Sequence, residues 1–249
     1  MLLFAVLTAA SSMLIHKAEQ SISPETLAFF TFSLCTIIYT ILNKFSAFSD
    51  FNRIKNNILN LAGTNITTAV CWLCTFISLS YISPINFLLA YLGTMPIGGL
   101  IVKRDFSIGK IISSLAIIFG VLLTVINDIE NVENTLGVAI ASFAGMVGAV
   151  YSRYSQALTK SFRDDEILSS RFVLINIITA IWFIFSGNET SAPSSDFLLM
   201  FLLVTLVSVV IPLYLFQRGI SGLPIVTALS YTPLAPVICL IYLTISGGY

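Results

Sequence analysis

The sequence predicts an all-α integral membrane protein built as an inverted repeat of two five-helix halves, with nine spans present and the tenth missing. Three observations carry that expectation. Charged residues make up 10% of the 249 and hydrophobic ones 57%, where a soluble domain holds roughly 25% charged, and mean hydropathy is +0.95. Apolar stretches of about 20 residues, the length that a hydrocarbon core of roughly 30 Å asks of a helix, recur along nearly the whole chain. The third is internal similarity. At an offset of 140, Phe76 to Val102 laid over Phe216 to Tyr242 matches Phe76/Phe216, Pro84/Pro224, Ile85/Ile225, Leu89/Leu229, Tyr91/Tyr231, Pro96/Pro236, Leu100/Leu240 and Ile101/Ile241. Apolar helices resemble one another cheaply, but two prolines and a tyrosine in register are harder to draw from composition.

In order, the expected spans are 1–16, 24–43, 61–82, 84–102, 108–127, 135–157, 167–186, 197–217 and 224–245. The first has the length and small-residue tail of a signal-peptide core. It lacks a basic leading segment and runs without a turn into His16 and Lys17, so it reads as a retained helix. The ninth span comes five places after the fourth, an odd step. The two therefore cross in opposite directions, and the repeat is inverted, with halves at residues 1–128 and 134–249. A tenth span would match residues 107–127 at positions 247–267, past the last residue, Tyr249.

Lys and Arg stay on the cytoplasmic side of short loops. With the N-terminus inside, Lys44, Arg53, Lys55, Lys103, Arg104, Lys110, Arg153, Lys160, Arg163, Arg171 and Arg218 fall inside or near an inner end, and Lys17 alone falls outside. The zero net charge hides this asymmetry and gives no sign of a nucleic-acid partner. Cys35, Cys71, Cys74 and Cys239 all lie in apolar spans as small hydrophobes. The Cys71–Cys74 spacing is weak as a redox motif, which needs an exposed thiolate beside a soluble active site. The sequon Asn188-Glu-Thr190 sits in an outer loop. Short loops point to a bacterial inner membrane.

A proline-containing helix with small and aromatic residues (Ala90, Tyr91, Pro96) is followed by a short basic loop (Lys103, Arg104) and a glycine-containing apolar helix (Gly109, Gly120). That order resembles the EamA-type repeat of the drug/metabolite transporter superfamily. The opening is similar too: Ser11 to Lys17, then Ser23-Pro24 and Phe29-Phe30. The sequence departs from the family at Thr31, where Arg is frequent, at Asp105, and in lacking helix ten. The resemblance implies a ten-helix bundle with a central cavity between halves, moving small metabolites, amino acids or drugs by alternating access; export is implied by the family alone.

Helix-breaking residues at membrane depth are tolerated where protein or a water-lined cavity satisfies the freed backbone, and paired broken helices mark transporter sites. Gly93 and Pro96 weaken span 4, and Pro233 and Pro236 weaken span 9, so these four are the expected hinges. Phe87, Tyr91 and Thr94 share one helical face, as do Thr227, Tyr231 and Leu234. Tyr91 and Tyr231 are the favoured cavity residues, since Tyr offers a ring and a hydroxyl; plain mid-helix packing is the competing reading. Asn65, Thr68, Trp72 and Thr75 form a polar stripe on span 3 that lines a cavity or glues helices together, with the cavity favoured for Trp72. Gly137, Ala141, Gly145 and Gly148 are a small-residue packing stripe. Beyond it stand Tyr151, Ser152, Arg153 and Gln156, with Arg153 snorkelling at the interface or offering its fork to an anionic substrate. His16, the sole His, shares a face with Thr8 and Ser12; a solvated residue is favoured there over a proton-coupling one.

All twelve Asp and Glu fall in loops or at helix ends, which disfavours carboxylate-coupled cation antiport. One His and no embedded acid also argue against an enzyme, and no metal or other cofactor is expected. The expected function is small-molecule transmembrane transport. The alternative is a non-transporting or degenerate membrane receptor or scaffold of the same fold. Neutral or zwitterionic amino acids and aromatic compounds suit Trp72, Tyr91 and Tyr231. The expected partners are that substrate and the lipid bilayer, with a homodimer left open.

Overall fold

The computed structural model describes residues 1–19, 22–103, 132–186 and 195–246. Helices α1 (Leu2–Glu19), α2 (Pro24–Leu42), α3 (Phe51–Asn56), α4 (Ile58–Leu79) and α5 (Pro84–Lys103) come first. Then follow α6 (Val132–Leu158), α7 (Asp164–Ser170), α8 (Val173–Phe185), α9 (Ser195–Val204), a π-helical stretch Thr205–Val210, α10 (Ile211–Gly222), α11 (Ile225–Ser230) and α12 (Leu234–Ser246). No strand occurs among the described residues. Six stretches there are long and apolar enough to cross a membrane, and Leu2–Ile15 and Ile225–Ile241 are shorter apolar helices. The chain is thus a helical protein with the makings of a membrane bundle. The expected span at 108–127, the sequon and positions beyond 246 lie outside the described residues.

Two of the expected single spans are interrupted. The span expected at 167–186 is α7 and α8, and the interruption has an identifiable cause: Asn65 of α4 enters the backbone ladder. Its Nδ2 donates to the Ser170 carbonyl at 2.9 Å, and its Oδ1 accepts from the Leu174 N–H at 3.1 Å. Those two backbone groups would otherwise bond each other, and an inserted side chain is one of the few things that bends a helix. The span expected at 224–245 is α11 and α12, split at Tyr231–Pro233. Pro233 has no N–H for the Leu229 carbonyl and its ring crowds it, while Pro236 falls in the first turn of α12, where the missing donor costs little.

At membrane depth each backbone group that a proline frees must find a partner in protein. Pro96 lies inside α5, which stays a continuous helix, and leaves the Leu92 carbonyl without its N–H. The Thr232 hydroxyl donates to it at 3.1 Å. Pro212 does the same to the Ser208 carbonyl, which accepts from the Ser11 hydroxyl at 3.1 Å. The Tyr39 hydroxyl donates to the Val210 carbonyl at the end of the π-helical stretch. Interhelical hydroxyls thus tie α1, α2 and the α11–α12 turn to backbone carbonyls at proline or π-helical positions of their neighbours.

Contacts also give the directions of packing. Phe29–Phe183, Thr36–Asn176 and Asn43–Ser169 recur at seven-residue steps that rise on α2 as they fall along α7 and α8. The two therefore pack antiparallel. Cys71–Ala144 and Ser78–Gly137 show the same for α4 and α6. Helix α6 runs parallel to α5, and its small-residue stripe makes the close approach. A Cβ at Gly145 would collide with the Tyr91 carbonyl and the Thr94 hydroxyl, and one at Gly148 would come within 2.6 Å of the Met95 methyl. Three further contacts join positions 140 apart, the spacing of the sequence repeat: Phe32 with Phe172 (ring centroids 5.8 Å apart), Thr36 with Asn176 (2.6 Å) and Leu92 with Thr232.

Candidate functional site

Helices α1, α4, α5, α6 and α10, the π-helical stretch and the α7–α8 junction enclose a central cavity of about 90 Å³, the volume of about three waters. Its wall is mainly aromatic and aliphatic, with Phe4, Trp72, Phe87, Tyr91, Met95 and Phe216 prominent. The ring of Tyr91 stacks on Phe87 at 5.3 Å, and Trp72 meets Phe32 edge-on at 5.1 Å. Hydroxyls of Thr8, Ser11, Ser12, Thr75 and Ser208 punctuate the wall. Among the described residues the lining holds one charged group, the guanidinium of Arg171.

Arg171 is brought inside by the irregularity that Asn65 creates, in the turn between α7 and α8. Its residual exposure is 4%. Nε donates to the Thr68 hydroxyl at 3.2 Å and Nη1 to the Tyr151 hydroxyl at 2.7 Å. The guanidinium carbon also lies 4.0 Å from the centroid of the Tyr151 ring and 5.2 Å from that of Phe172. Cation–π contact offsets part of the cost of drying a cation. Among the described residues no carboxylate pairs with Arg171.

From Arg171 a chain of hydrogen bonds leaves the cavity. Tyr151 donates to Gln217 Oε1 at 3.1 Å, Ser155 donates to the same oxygen at 2.6 Å, and Gln217 Nε2 donates to Asp164 at 3.4 Å. Asp164 accepts further from Ser221 and, at 3.3 Å, from Arg218. It lines a second, wider cleft of about 920 Å³ together with Tyr39, Arg163, Tyr214 and Arg218. The Tyr151–Ser155–Gln217 layer links the wall of the cavity to Asp164 on the wall of the cleft, and the stretch Ser208–Tyr214 contributes residues to both. At the same charged end Glu166, 3% exposed, accepts from Arg53, Ser46 and the Arg163 N–H, tying α3 to α7.

The residues that the sequence singles out divide clearly. Tyr91, Trp72, Thr75 and Tyr151 line the cavity. Thr68 stands behind the wall as the acceptor of Arg171, and Asn65 serves as interhelical glue. Thr94 bonds back to α5 and across to the Ser142 carbonyl at 2.9 Å, also a helix-to-helix tie. Arg153 is exposed, as snorkelling requires. Tyr231 does not join Tyr91: it is 42% exposed on the outside of the bundle, along with Thr227, and the opposite face of α11 and α12, with Ala228, Leu229 and Thr232, is the buried one. The face shared by Thr227, Tyr231 and Leu234 survives the break, with Leu234 also 37% exposed, but it points out of the bundle; helical periodicity groups residues on a face and does not say which way that face points. Of the expected hinges, Pro233 breaks its helix, Pro236 sits in a first turn, and Gly93 and Pro96 are buried in an unbroken α5. The side chain of His16 lies outside the described set.

Two site residues escape the sequence reading. Arg171 is counted there with the loop cations, although Ser169-Ser170-Arg171 interrupts an apolar run and so marks an irregular point. Ser208 carries no sequence signal beyond the nearby Pro212. In comparison with known proteins, the chain matches no family model, no curated protein and no solved structure.

Proposed function

We propose that the chain is a small-molecule transmembrane transporter of the EamA type that works by alternating access, exporting its substrate from a bacterial cytoplasm. The observation that carries this reading is a largely apolar cavity at the centre of an apolar bundle, linked to a wide cleft through a hydrogen-bonded layer. Pockets with apolar walls and few placed polar groups suit small ligands, and a removable layer on one side suits a gate.

The inverted-repeat architecture belongs to the same proposal. Contacts between positions 140 apart, on α2 with α7–α8 and on α5 with the α11–α12 turn, support a pseudo-twofold axis, and the antiparallel packing of α2 against α7–α8 supports its inverted sense. Opening of the Tyr151–Ser155–Gln217 layer would expose the cavity to the cleft, and the clustered Arg residues there support a cytoplasmic side for it.

Flux into proteoliposomes tests the reading. Purified chain is reconstituted and uptake of radiolabelled amino acids, organic acids and aromatic amines is followed, with Tyr91→Ala and Trp72→Ala as cavity variants. Saturable flux that either variant alters is expected. Solutes that bind and stabilise the chain yet never cross would replace transport with the receptor reading.

A further inference from the structure

The geometry points to a compact organic carboxylate as the occupant of the central cavity, held by Arg171 and Ser208. This rests on the transport reading of the same cavity and narrows its substrate class. Of the three guanidinium nitrogens, Nε and Nη1 are engaged by Thr68 and Tyr151, and Nη2 has no hydrogen bond to a described residue. The nearest route to a carboxylate runs through Tyr151 and Gln217 to Asp164. A cation stripped of water at membrane depth is costly without a counter-charge and marks a substrate or ion path by default. Rings supply partial relief and no charge.

A second observation is independent of Arg171. Ser208 also lines the cavity, is 4% exposed, and its hydroxyl has no hydrogen-bond partner among the described residues. A buried, unbonded hydroxyl is expensive to leave empty-handed. It stands on the π-helical stretch, a departure from α-geometry that is frequent at functional sites. One guanidinium with a free nitrogen and one free hydroxyl on a shared cavity suit an acceptor with two oxygens.

Size and charge restrict the class. A volume of about 90 Å³ holds a few non-hydrogen atoms beyond the carboxylate, and Trp72, Phe87 and Met95 offer those atoms an apolar wall. A phosphate dianion calls for more than one cation, and the described lining has one. An amine would meet Arg171 as a like charge.

The test uses the detergent-purified full chain and two matched pairs, propionate with propionamide and benzoate with benzamide, alongside propylamine and inorganic phosphate. Affinity is read from ligand-dependent thermal stabilisation, because a ligand that binds only the folded state raises its melting temperature. Each acid is expected to bind about ten- to hundredfold more tightly than its amide, the range of a charge-assisted hydrogen bond. Arg171→Gln should abolish that preference. Ser208→Ala, whose lost hydroxyl has no protein partner and so leaves folding intact, should weaken the acid severalfold and the amide little. Amide equal to acid, preference for propylamine or phosphate, or no acid binding at all overturns the proposal, and the wild-type pairs decide this even where Arg171→Gln misfolds. In proteoliposomes, acids that bind without crossing sink the transport reading and leave the anion site standing; amides or amines that cross while acids do not sink the anion site alone.

Discussion

Thr232→Val removes the hydroxyl that serves the carbonyl freed by Pro96, and its cost can be worked from the geometry. Leaving a buried carbonyl unpaired costs about 1–3 kcal/mol, and interhelical hydrogen bonds in membrane proteins average about 0.6 kcal/mol with a maximum near 1.7. The hydroxyl has one proton, and it lies 3.1 Å from the Leu92 carbonyl and 2.8 Å from that of Leu229 in its own turn. Divided donation places the loss at the low end, about 1 kcal/mol. For a chain of this length that lowers the melting temperature by about 2–4 °C. The sharper measurement is a double-mutant cycle with Pro96→Ala, which restores an N–H to position 96 and gives the Leu92 carbonyl a partner within its helix. In that background Thr232→Val should cost almost nothing, a coupling of about 1 kcal/mol between the two sites. Thermal unfolding in one detergent, with Thr232→Ser as the variant that keeps the hydroxyl, supplies all the values. An equal loss from Thr232→Val in both backgrounds would refute the reasoning and assign Thr232 to packing alone.

Other expectations follow from the same contacts. Glu166→Ala should destabilise by about 1–2 kcal/mol, since it takes a buried acceptor from the partly exposed Arg53, from the Ser46 hydroxyl and from the Arg163 N–H, whereas Arg163→Ala, whose side chain is 63% exposed in its pair with Asp165, should cost about 0.5 kcal/mol or less; detergent unfolding compares them, and equal losses would count against the distinction. Gly145→Ala should be worse than Gly148→Ala by about 1–2 kcal/mol, because the first meets a backbone carbonyl and the second a mobile Met95 methyl. In a variant lacking the native cysteines, Lys160→Cys should escape an impermeant maleimide in intact cells and react after lysis, since position 160 is exposed at the charged end; labelling of intact cells would reverse the proposed orientation.

The helical class and most spans were legible because hydrocarbon enforces them: an apolar run of span length has few other fates. The small-residue stripe of α6 was legible for a similar reason, since glycine at a regular spacing leaves room for a neighbouring helix and for little else. Trp72, Tyr91 and Tyr151 could be proposed for the cavity from type and helical face. Tyr231 could not be placed the same way, because its face, shared with Thr227 and Leu234, is as regular as the one carrying Tyr91 and yet points outward, and periodicity does not say which face of a helix meets the centre of the bundle. Arg171 was hidden by the habit of assigning a cation near a span end to the interface. What brings it inward is a partner far away in sequence, Asn65, and single-sequence periodicity says nothing about which side chain will enter which ladder. Ser208 depends on an extra residue in a helical turn, which is likewise a tertiary fact.

Helix α5 and its repeat partner share the proline at 96 and 236 but differ at the position of Gly93 and Pro233: one stays whole across Pro96 while the other folds at Tyr231–Pro233. On the proposed repeat, related helices are therefore seen in two shapes at once, and the broken copy shows the form that α5 would take if it bent at Gly93. A reversal in which α5 bends and α11 joins α12 would need no new fold, only an exchange of roles, with Thr232 and Leu92 at the pivot.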